Sequence, residues 1–497
     1  MCKASMTAFD ILPSPLGGEG SGVRGASCVS RPTHPKPLHQ LAWDALCPRF
    51  ASGCRFLFVA LLISQTVASP IPAADPQPAI RLRDTRPKHD IAKLAKAGIH
   101  KYESKRLCLF TDIDAKLAQP LPALLDQMFD TWESHLGKLP PAEDKSEFQV
   151  TGYLMKNRDT FSETGLLPQA LPGFSHGRHS GYEFWMNEQP TDYYRRHLLL
   201  HEATHCYMTA VPTDSVSTVW YFEGIAEFFA THTLDASGKA KFAVMPHNRE
   251  SFPGLGRIKL VLDDVNAGQA KDVASIWALA PRDFQNNSTY GWSWALCIFL
   301  DSHPRYRNRL RGLLPVVRRP DPKQQVADVF AKDWPELQTE WILFLMNICH
   351  GYDIERAAID FKPAKPLQSG NPVVKLPVAA DRGWQSTAVS VREGDTIHIT
   401  ASGRFTLAKE PKPWVSEPQG VSIRYHQGQP LGKLLAIIVP DISQVQAGQQ
   451  FATSKVLPIG REAELTAPVT GTLFLRVNDF WNELADNAGE VTVEIRP

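Results

Sequence analysis

The chain has 497 residues, of which 43% are hydrophobic and 21% are charged, and this balance excludes wholesale disorder. The length is sufficient for about three domains. The 53 basic and 52 acidic residues give a net charge of +1, so no global field favours nucleic acid or an anionic membrane. Beyond residue 74 the cysteines are widely spaced without a CxxC pair, which gives no support to a zinc ribbon or a thioredoxin-type site.

Residues 49–74 have the order of a secretory signal peptide. Arg49 and Arg55 precede the apolar run 56–63, and small residues follow it. The run is much shorter than the roughly 20 residues that span a bilayer. We expect cleavage near residues 73–74 and an exported protein, secreted or periplasmic, with no membrane span after cleavage. An uncleaved anchor or a buried strand is the alternative interpretation.

The pattern of the sequence divides the rest of the chain. Residues 1–48 show no helical or strand period, and we interpret them as a disordered leader or as the product of a start codon assigned too early. Residues 80–360 mix helix and strand patterns. Residues 361–375 are punctuated by Pro and Gly and are typical of a linker. Residues 376–497 contain short β-rich runs between turn residues. The predicted fold is an α+β domain followed by an all-β sandwich.

Periodicity predicts individual elements within these regions. Residues 117–136 carry apolar side chains at helical spacing, and residues 292–300 form a second helical run. Runs rich in aliphatic and aromatic residues predict strands at 105–113, 148–155, 396–401, 434–439, 471–477 and 491–495.

The densest chemistry of the sequence is the pentapeptide HEATH at residues 201–205. On a helix, His201 and His205 lie one turn apart on the same face, so that both imidazoles can bind one Zn²⁺. Glu202 lies beside them, where a carboxylate can act as the general base on a zinc-activated water. His197 continues the row one turn earlier, either as a ligand or as a residue behind the site.

A second helical run supplies the carboxylate that such a site needs. Residues 220–229 read WYFEGIAEFF, and seventeen residues separate Glu223 from His205. We expect Glu223 to be the third zinc ligand, with the fourth position open for water. Glu227 lies one turn further on the same face, where it can orient a ligand imidazole.

These two motifs resemble the gluzincin metallopeptidases, the clan of thermolysin and the zinc aminopeptidases, in which W-x-x-E-G-x-A-x completes the site. The resemblance spans residues 201–229, and it is closest to exported bacterial members whose functions are uncharacterised. It implies a zincin-like fold for residues 80–360 and hydrolysis of peptide bonds in a peptide or glycoprotein substrate.

The same resemblance implies two further features of the site. An edge strand before the zinc helix pairs with extended substrate in that clan, and residues 181–187 are placed for this role. Gly181, Tyr182 and Phe184 are thus the candidate substrate-binding residues, with an ordinary strand as the alternative. The clan also uses a downstream Tyr or His to stabilise the oxyanion. Tyr290 is the first candidate for this role, and Tyr306 is the second.

Hard oxygen donors cluster near the end of the chain. Asp479, Asp486 and Asn487 lie on one connection between predicted strands. Ca²⁺ takes six to eight such oxygens, whereas a polar turn is the alternative explanation.

Further segments extend the pattern at 383–387, 391–403, 418–420, 434–438 and 473–479. In this order they resemble the calcium-dependent galactose-binding lectins of the LecA type, over residues 376–497. The resemblance implies Ca²⁺ held by the side chains of Asp479, Asp486 and Asn487 and by the backbone carbonyls of Leu407 and Glu483, with galactose-type glycans as ligands. Asp486 replaces an amide of that family.

The sequence thus predicts an exported zinc peptidase that carries a calcium-binding, carbohydrate-recognition-like module. Two alternatives stay open. One is a catalytically inactive zincin that serves as the scaffold of a glycan-binding protein, and the other is a zinc-dependent hydrolase of a different bond. No nucleic-acid partner is expected.

Overall fold

A computed structural model describes most of the chain. The described residues are 80–171, 173–211, 218–370, 372–440 and 455–497. The predicted leader at 1–48 and the predicted signal peptide at 49–74 lie outside them. Within the described ranges, no helix is both long and apolar enough to cross a bilayer.

The α-helices of the described residues lie before residue 360. They are α1 (Ile91–Lys96), α2 (Ala115–Ala118), α3 (Leu121–Leu136), α4 (Arg158–Glu163), α5 (Asp192–Thr209), α6 (Val219–Ala230), α7 (Arg257–Asn266), α8 (Val273–Trp277), α9 (Asn287–Ser302), α10 (Arg307–Arg311), α11 (Leu314–Val317), α12 (Pro322–Phe330), α13 (Trp334–Leu345) and α14 (Ile354–Ala357). The helix predicted at 117–136 forms as α2 and α3, because Pro120 between them has no N–H to continue α2.

The strands of this region are β1 (His100–Glu103), β2 (Leu107–Thr111), β3 (Val150–Met155), β4 (Gly177–Ser180), β5 (Glu183–Asn187), β6 (Thr233–Leu234) and β7 (Ala240–Lys241). The first five form one mixed sheet in the order β1-β2-β3-β5-β4. Strands β2, β3 and β5 are parallel to one another, and the outer strands β1 and β4 are antiparallel to their neighbours. The strands predicted at 105–113 and 148–155 are confirmed as β2 and β3.

The C-terminal region is rich in strands. They are β8 (Lys365–Pro366), β9 (Val374–Ala379), β10 (Gln385–Val391), β11 (Thr396–Ser402), β12 (Phe405–Ala408), β13 (Trp414–Ser416), β14 (Gln419–His426), β15 (Gln429–Val439), β16 (Leu457–Pro458), β17 (Glu462–Thr466), β18 (Gly471–Val477) and β19 (Glu490–Arg496). One sheet runs β14-β15-β18-β10-β8, with β16 beside β15, and the other runs β17-β11-β19-β9. Their inward residues share one apolar core, which is the arrangement of a β-sandwich.

The larger of these two sheets is buried on both faces. Along β15, Ala436 and Ile438 point into the core of the sandwich. Leu435 and Ile437, on the opposite face, belong to the core of the helical region. Trp481, just after β18, stacks on Tyr352 of the helical region at 5.1 Å between ring centroids. The overall architecture is therefore a mixed α/β region followed by, and packed against, a β-rich region.

The helical core surrounds α5, α6 and α9. Helix α5 begins where the Thr191 side chain accepts a hydrogen bond from the backbone N–H of Tyr194. Helices α6 and α9 approach so closely at Gly224 that a Cβ there would lie 2.6 Å from the Ser293 carbonyl oxygen. Only a residue without a side chain fits this helix contact, which sets the distance between α6 and α9.

Candidate metal centre

Helices α5 and α6 bring three side chains to one point. The Nε2 atoms of His201 and His205 lie 3.1 Å apart on consecutive turns of α5. Glu223 of α6 places Oε2 3.4 Å from each of these nitrogens. All three side chains are buried. The structure therefore brings together the three ligands that the sequence predicts.

The separations between these atoms fit a tetrahedral metal ion. Zn²⁺ bonds of about 2.0–2.1 Å place neighbouring tetrahedral ligands about 3.3–3.4 Å apart. A distance of 3.4 Å is too long for an ordinary hydrogen bond, and Glu223 Oε2 is a buried oxygen without a hydrogen-bond partner among the described residues. A carboxylate oxygen left in this position needs a cation or a proton as its partner.

The electrostatics of the cluster favour an ionised third ligand. Burial opposes the ionisation of Glu223, but the His205 and His201 imidazoles outweigh burial and lower the pKa of Glu223 to about 2. The anionic carboxylate is the form that binds a metal ion.

Glu202 lies next to this cluster and under the edge of the sheet. Burial raises its pKa to about 7, although His201 and His205 act in the opposite direction. Its Oε1 atom lies against Gly177 of β4, where a Cβ would come within 2.3 Å of that oxygen. Its Oε2 atom lies 3.7 Å from Nδ1 of His179.

Behind the cluster, Glu227 connects the candidate ligand His201 to a buried arginine. Its Oε1 atom lies 3.2 Å from Nδ1 of His201, and its Oε2 atom lies 3.1 Å from Nε2 of His197. Arg257 of α7 donates to both carboxylate oxygens, at 2.8 and 2.9 Å. Burial opposes ionisation, but the Arg257 charge and His197 hold the pKa of Glu227 well below its usual range. A carboxylate in this position orients a ligand imidazole.

The same contacts bear on the open question of His197. His197, His201 and Glu227 also lie close enough to hold a metal ion. Arg257 already supplies the positive charge at Glu227, and Nε2 of His197 lies against the same carboxylate. His197 thus fits the position behind the site rather than that of a ligand.

The two tyrosines predicted to stabilise the oxyanion are both buried. Tyr290 packs against Phe284, with ring centroids 5.1 Å apart, and lies 5.8 Å from the Arg257 guanidinium. The hydroxyl of Tyr306 donates to Glu340 Oε2 at 2.7 Å, so Tyr306 belongs to a separate buried network. The role of Tyr290 stays a prediction.

The edge strand differs from the prediction. Residues 181–187 were expected at the edge, but β5 is an inner strand, and β4 occupies the edge instead. Gly181 lies in the turn between the two strands at φ +58, Tyr182 donates its hydroxyl hydrogen to the Leu82 carbonyl, and Phe184 is buried in the core. The pairing of strands depends on distant residues, and the one-strand shift moves the assigned substrate-binding residues away from the outer strand of the sheet.

Sequence reasoning missed three residues at this site. Gly177 and His179 lie on β4, and their sequence signal was the Ser180–Gly181 pair, which marks a hairpin turn before β5. The ring of His179 stacks on the ring of His205 at 4.5 Å, and burial lowers the pKa of His179 to about 4. Arg257 follows a loop with no motif, and nothing in the local sequence marks it.

The predicted calcium loop connects β18 to β19. Asp479 is buried, and burial raises its pKa to about 6, partly offset by hydrogen bonds from Asn487 and Phe480. Its Oδ2 atom accepts from Nδ2 of Asn487 at 2.9 Å. Asn487 Oδ1 is a buried acceptor without a partner among the described residues. The side chains of Asp479 and Asn487 therefore lie together, as the sequence predicts, but they are hydrogen-bonded to each other.

The remaining predicted calcium ligands are less tightly placed. Asp486 is exposed, and the Glu483 carboxylate forms a bidentate ion pair with Arg424 at 2.7 Å. Leu407 lies at an irregularity in the pairing of β12 with β13, close to the bridge between Thr406 and Ala488. A bulge frees backbone groups from the ladder, as a carbonyl ligand requires.

Comparison with known proteins adds little to this picture. No known family model matches the sequence, and no curated protein matches it. A solved domain described as "EclA N-terminal domain; PllA-like lectin" aligns with this chain at 26% sequence identity and a TM-score of 0.19. The alignment covers 24% of this chain and 93% of that domain. A TM-score this low carries no argument about fold or ligand.

Proposed function

We propose that this protein is an exported zinc-dependent peptidase of the gluzincin type. The observation that carries the proposal is the convergence of His201, His205 and Glu223 at tetrahedral spacing. Glu202 lies beside this point, under the edge of a sheet. The signal-like pattern at 49–74 supports export, to the periplasm or to the medium.

Each residue near this point has a separate role in the proposed hydrolysis. A zinc ion bound there would lower the pKa of water and polarise a substrate carbonyl. His201, His205 and Glu223 would hold that ion, while Glu227 and Arg257 fix the orientation of His201. Glu202 takes the proton from the attacking water and returns it to the leaving amine. Among the described residues β4 is the outer strand of the sheet, which is where an extended peptide would add.

Metal analysis of the purified protein tests the ligand assignment. We expect about one zinc per wild-type chain, and a sharp loss in Glu223→Ala because a site with two remaining ligands binds weakly. Glu143→Ala, at an exposed glutamate, is the matched control and should keep its zinc. A folded wild type without zinc would contradict the proposal.

Turnover assays on a diverse peptide library then separate the alternatives. Peptide cleavage that stops on zinc chelation and returns with zinc supports the peptidase. Bound zinc with no cleavage favours an inactive zincin that acts as a scaffold. Turnover of small amides or esters alone points to a hydrolase of another bond.

We also propose that the C-terminal sandwich is a calcium-binding module with the properties of a LecA-type lectin. The observation that favours it is the buried Asp479 carboxylate next to an Asn487 amide oxygen without a partner among the described residues. A peptidase with this module would be held on galactose-type glycans of a glycoprotein or polysaccharide. An array of glycans that gives no calcium-dependent signal would contradict the glycan part.

Thermal unfolding with and without Ca²⁺ tests the metal part. The wild-type melting temperature should rise by a few degrees because Ca²⁺ binds only the folded loop, and Mg²⁺ should have a smaller effect. Asp479→Asn should lose the rise, whereas Asp360→Asn, at an exposed aspartate, should keep it. An unchanged wild-type melting temperature would remove the calcium assignment.

A further inference from the structure

Strand β4 crosses the candidate site with two residues facing Glu202. Residues i and i+2 of a strand point to the same face, and Gly177 and His179 have this spacing. Gly177 lies against Oε1 of Glu202, where no Cβ fits. Nδ1 of His179 lies 3.7 Å from Oε2 of the same carboxylate. The strand therefore confines both oxygens of Glu202.

The His179 ring makes a second contact, with the ligand His205. The two imidazoles are stacked with centroids 4.5 Å apart and planes at 19°. Because the rings are nearly parallel, His179 does not direct a nitrogen at the point shared by the three ligand atoms. It supports His205 by packing rather than by coordination.

We propose that His179 is a positioning residue of this site, holding His205 by stacking and Glu202 by an Nδ1–H hydrogen bond. The inference rests on the proposed peptidase function. An ionised carboxylate only accepts hydrogen bonds, so the fitting tautomer carries its proton on Nδ1. The distance of 3.7 Å is longer than a formed bond, and catalytic hydrogen bonds of a free enzyme commonly tighten when substrate binds.

Two substitutions separate the two contacts of His179. His179→Phe keeps an aromatic ring over His205 but has no N–H for Glu202. His179→Asn loses the ring but keeps an amide N–H close to the position of Nδ1. Ser180→Ala, on the same strand at an exposed position, is the control. Zinc affinity is measured by competition with a chelator, and kcat and KM are measured at saturating zinc.

For His179→Phe we expect zinc affinity within about threefold of the wild type, with kcat lowered about 10–100-fold and KM nearly unchanged. For His179→Asn we expect zinc affinity about tenfold weaker and a kcat much nearer to the wild-type value. Ser180→Ala should match the wild type in both measurements.

Other patterns would overturn the inference. Equal losses of kcat in the Phe and Asn variants would contradict the proposed hydrogen bond from His179 to Glu202. Equal zinc affinities of the two variants would contradict the proposed support of His205 by stacking. If the wild type binds zinc but cleaves no peptide, the proposed function fails on its own, while the two zinc affinities still decide the stacking contact.

Discussion

The proposed zinc ligands and the proposed calcium ligands are held by different kinds of structure. His201, His205 and Glu223 lie on two long, buried helices. Asp479, Asp486 and Asn487 lie on one connection between strands. In the first site, Oε2 of Glu223 lies 3.4 Å from each histidine nitrogen, a distance too long for a good hydrogen bond. In the second, the Asn487 amide N–H donates to the Asp479 carboxylate at 2.9 Å, so these two side chains are hydrogen-bonded to each other.

This difference predicts how each site responds to its metal. The helices fix the three proposed zinc ligands in place, so we expect a metal ion to bind without rearranging them. To bind the proposed Ca²⁺, the loop would have to give up the hydrogen bond between Asn487 and Asp479 and turn the amide so that Oδ1 faces the ion. Arg476, which donates to the Asp479 carbonyl at 2.7 Å, holds the backbone at the start of the loop, and the backbone bridge between Thr406 and Ala488 holds its end. The loop site should therefore be weaker and more easily altered.

The largest expected effect is a loss of hydrolysis without a loss of zinc binding at the helical site. Glu202→Gln should lower hydrolysis about 10²–10⁴-fold because the amide cannot take a proton from water. Zinc content should stay near that of the wild type, since Glu202 is not among the three converging side chains. The measurement is kcat/KM together with elemental analysis, and Glu143→Gln is the control. Undiminished hydrolysis would refute the assignment of the base.

The next largest effect is expected at the ion pair of Arg257 with Glu227, which lies behind the helical site. Arg257→Met leaves the buried Glu227 without its bidentate partner, which should cost about 3–5 kcal/mol in the free energy of unfolding. Zinc affinity should fall about 10–100-fold because His201 loses its fixed orientation. Urea unfolding and chelator competition measure the two quantities.

Two further variants control this experiment. Arg257→Lys keeps the charge but loses the planar fork, and its losses should be intermediate. Arg282→Met removes an arginine whose side chain is 88% exposed and should change neither quantity. Unfolding and zinc binding that stay at wild-type values in Arg257→Met would show that the helical site does not depend on this network.

The helix contact below Glu223 gives a smaller effect. Gly224→Ala would place a Cβ 2.6 Å from the Ser293 oxygen and 2.7 Å from Cys297 Sγ. Helix α6 must then move away from α9, at a cost of about 1–3 kcal/mol, and Glu223 moves with it. Thermal unfolding and zinc content report both changes. Gly173→Ala, where the new methyl group meets open space, should be neutral, and equal stabilities of the two variants would contradict the prediction.

The sequence predicted the parts of these sites that depend on local spacing. The helical repeat alone places His201 and His205 on one face, and the same repeat places Glu227 one turn beyond Glu223. The edge position of β4 and the arrival of Arg257 from α7 depend on strand pairing and on helix packing between distant residues. These features have no local signal. For the same reason the sequence assigned the free edge to residues 181–187, one strand away from its position.

A last comparison concerns two aspartates within the proposed calcium loop. Asp479 is buried beside Asn487, whereas Asp486 is exposed, so the loop holds only the first in place before the ion binds. Both substitutions remove one ligand charge, but they act on differently placed side chains. Asp479→Asn should therefore raise the Kd for Ca²⁺ at least about a hundredfold, and Asp486→Asn less than about tenfold. Calorimetric titration measures both values. Equal losses would mean that the exposed carboxylate binds as firmly as the buried one, and that this loop is organised before calcium arrives, as the helical site is for zinc.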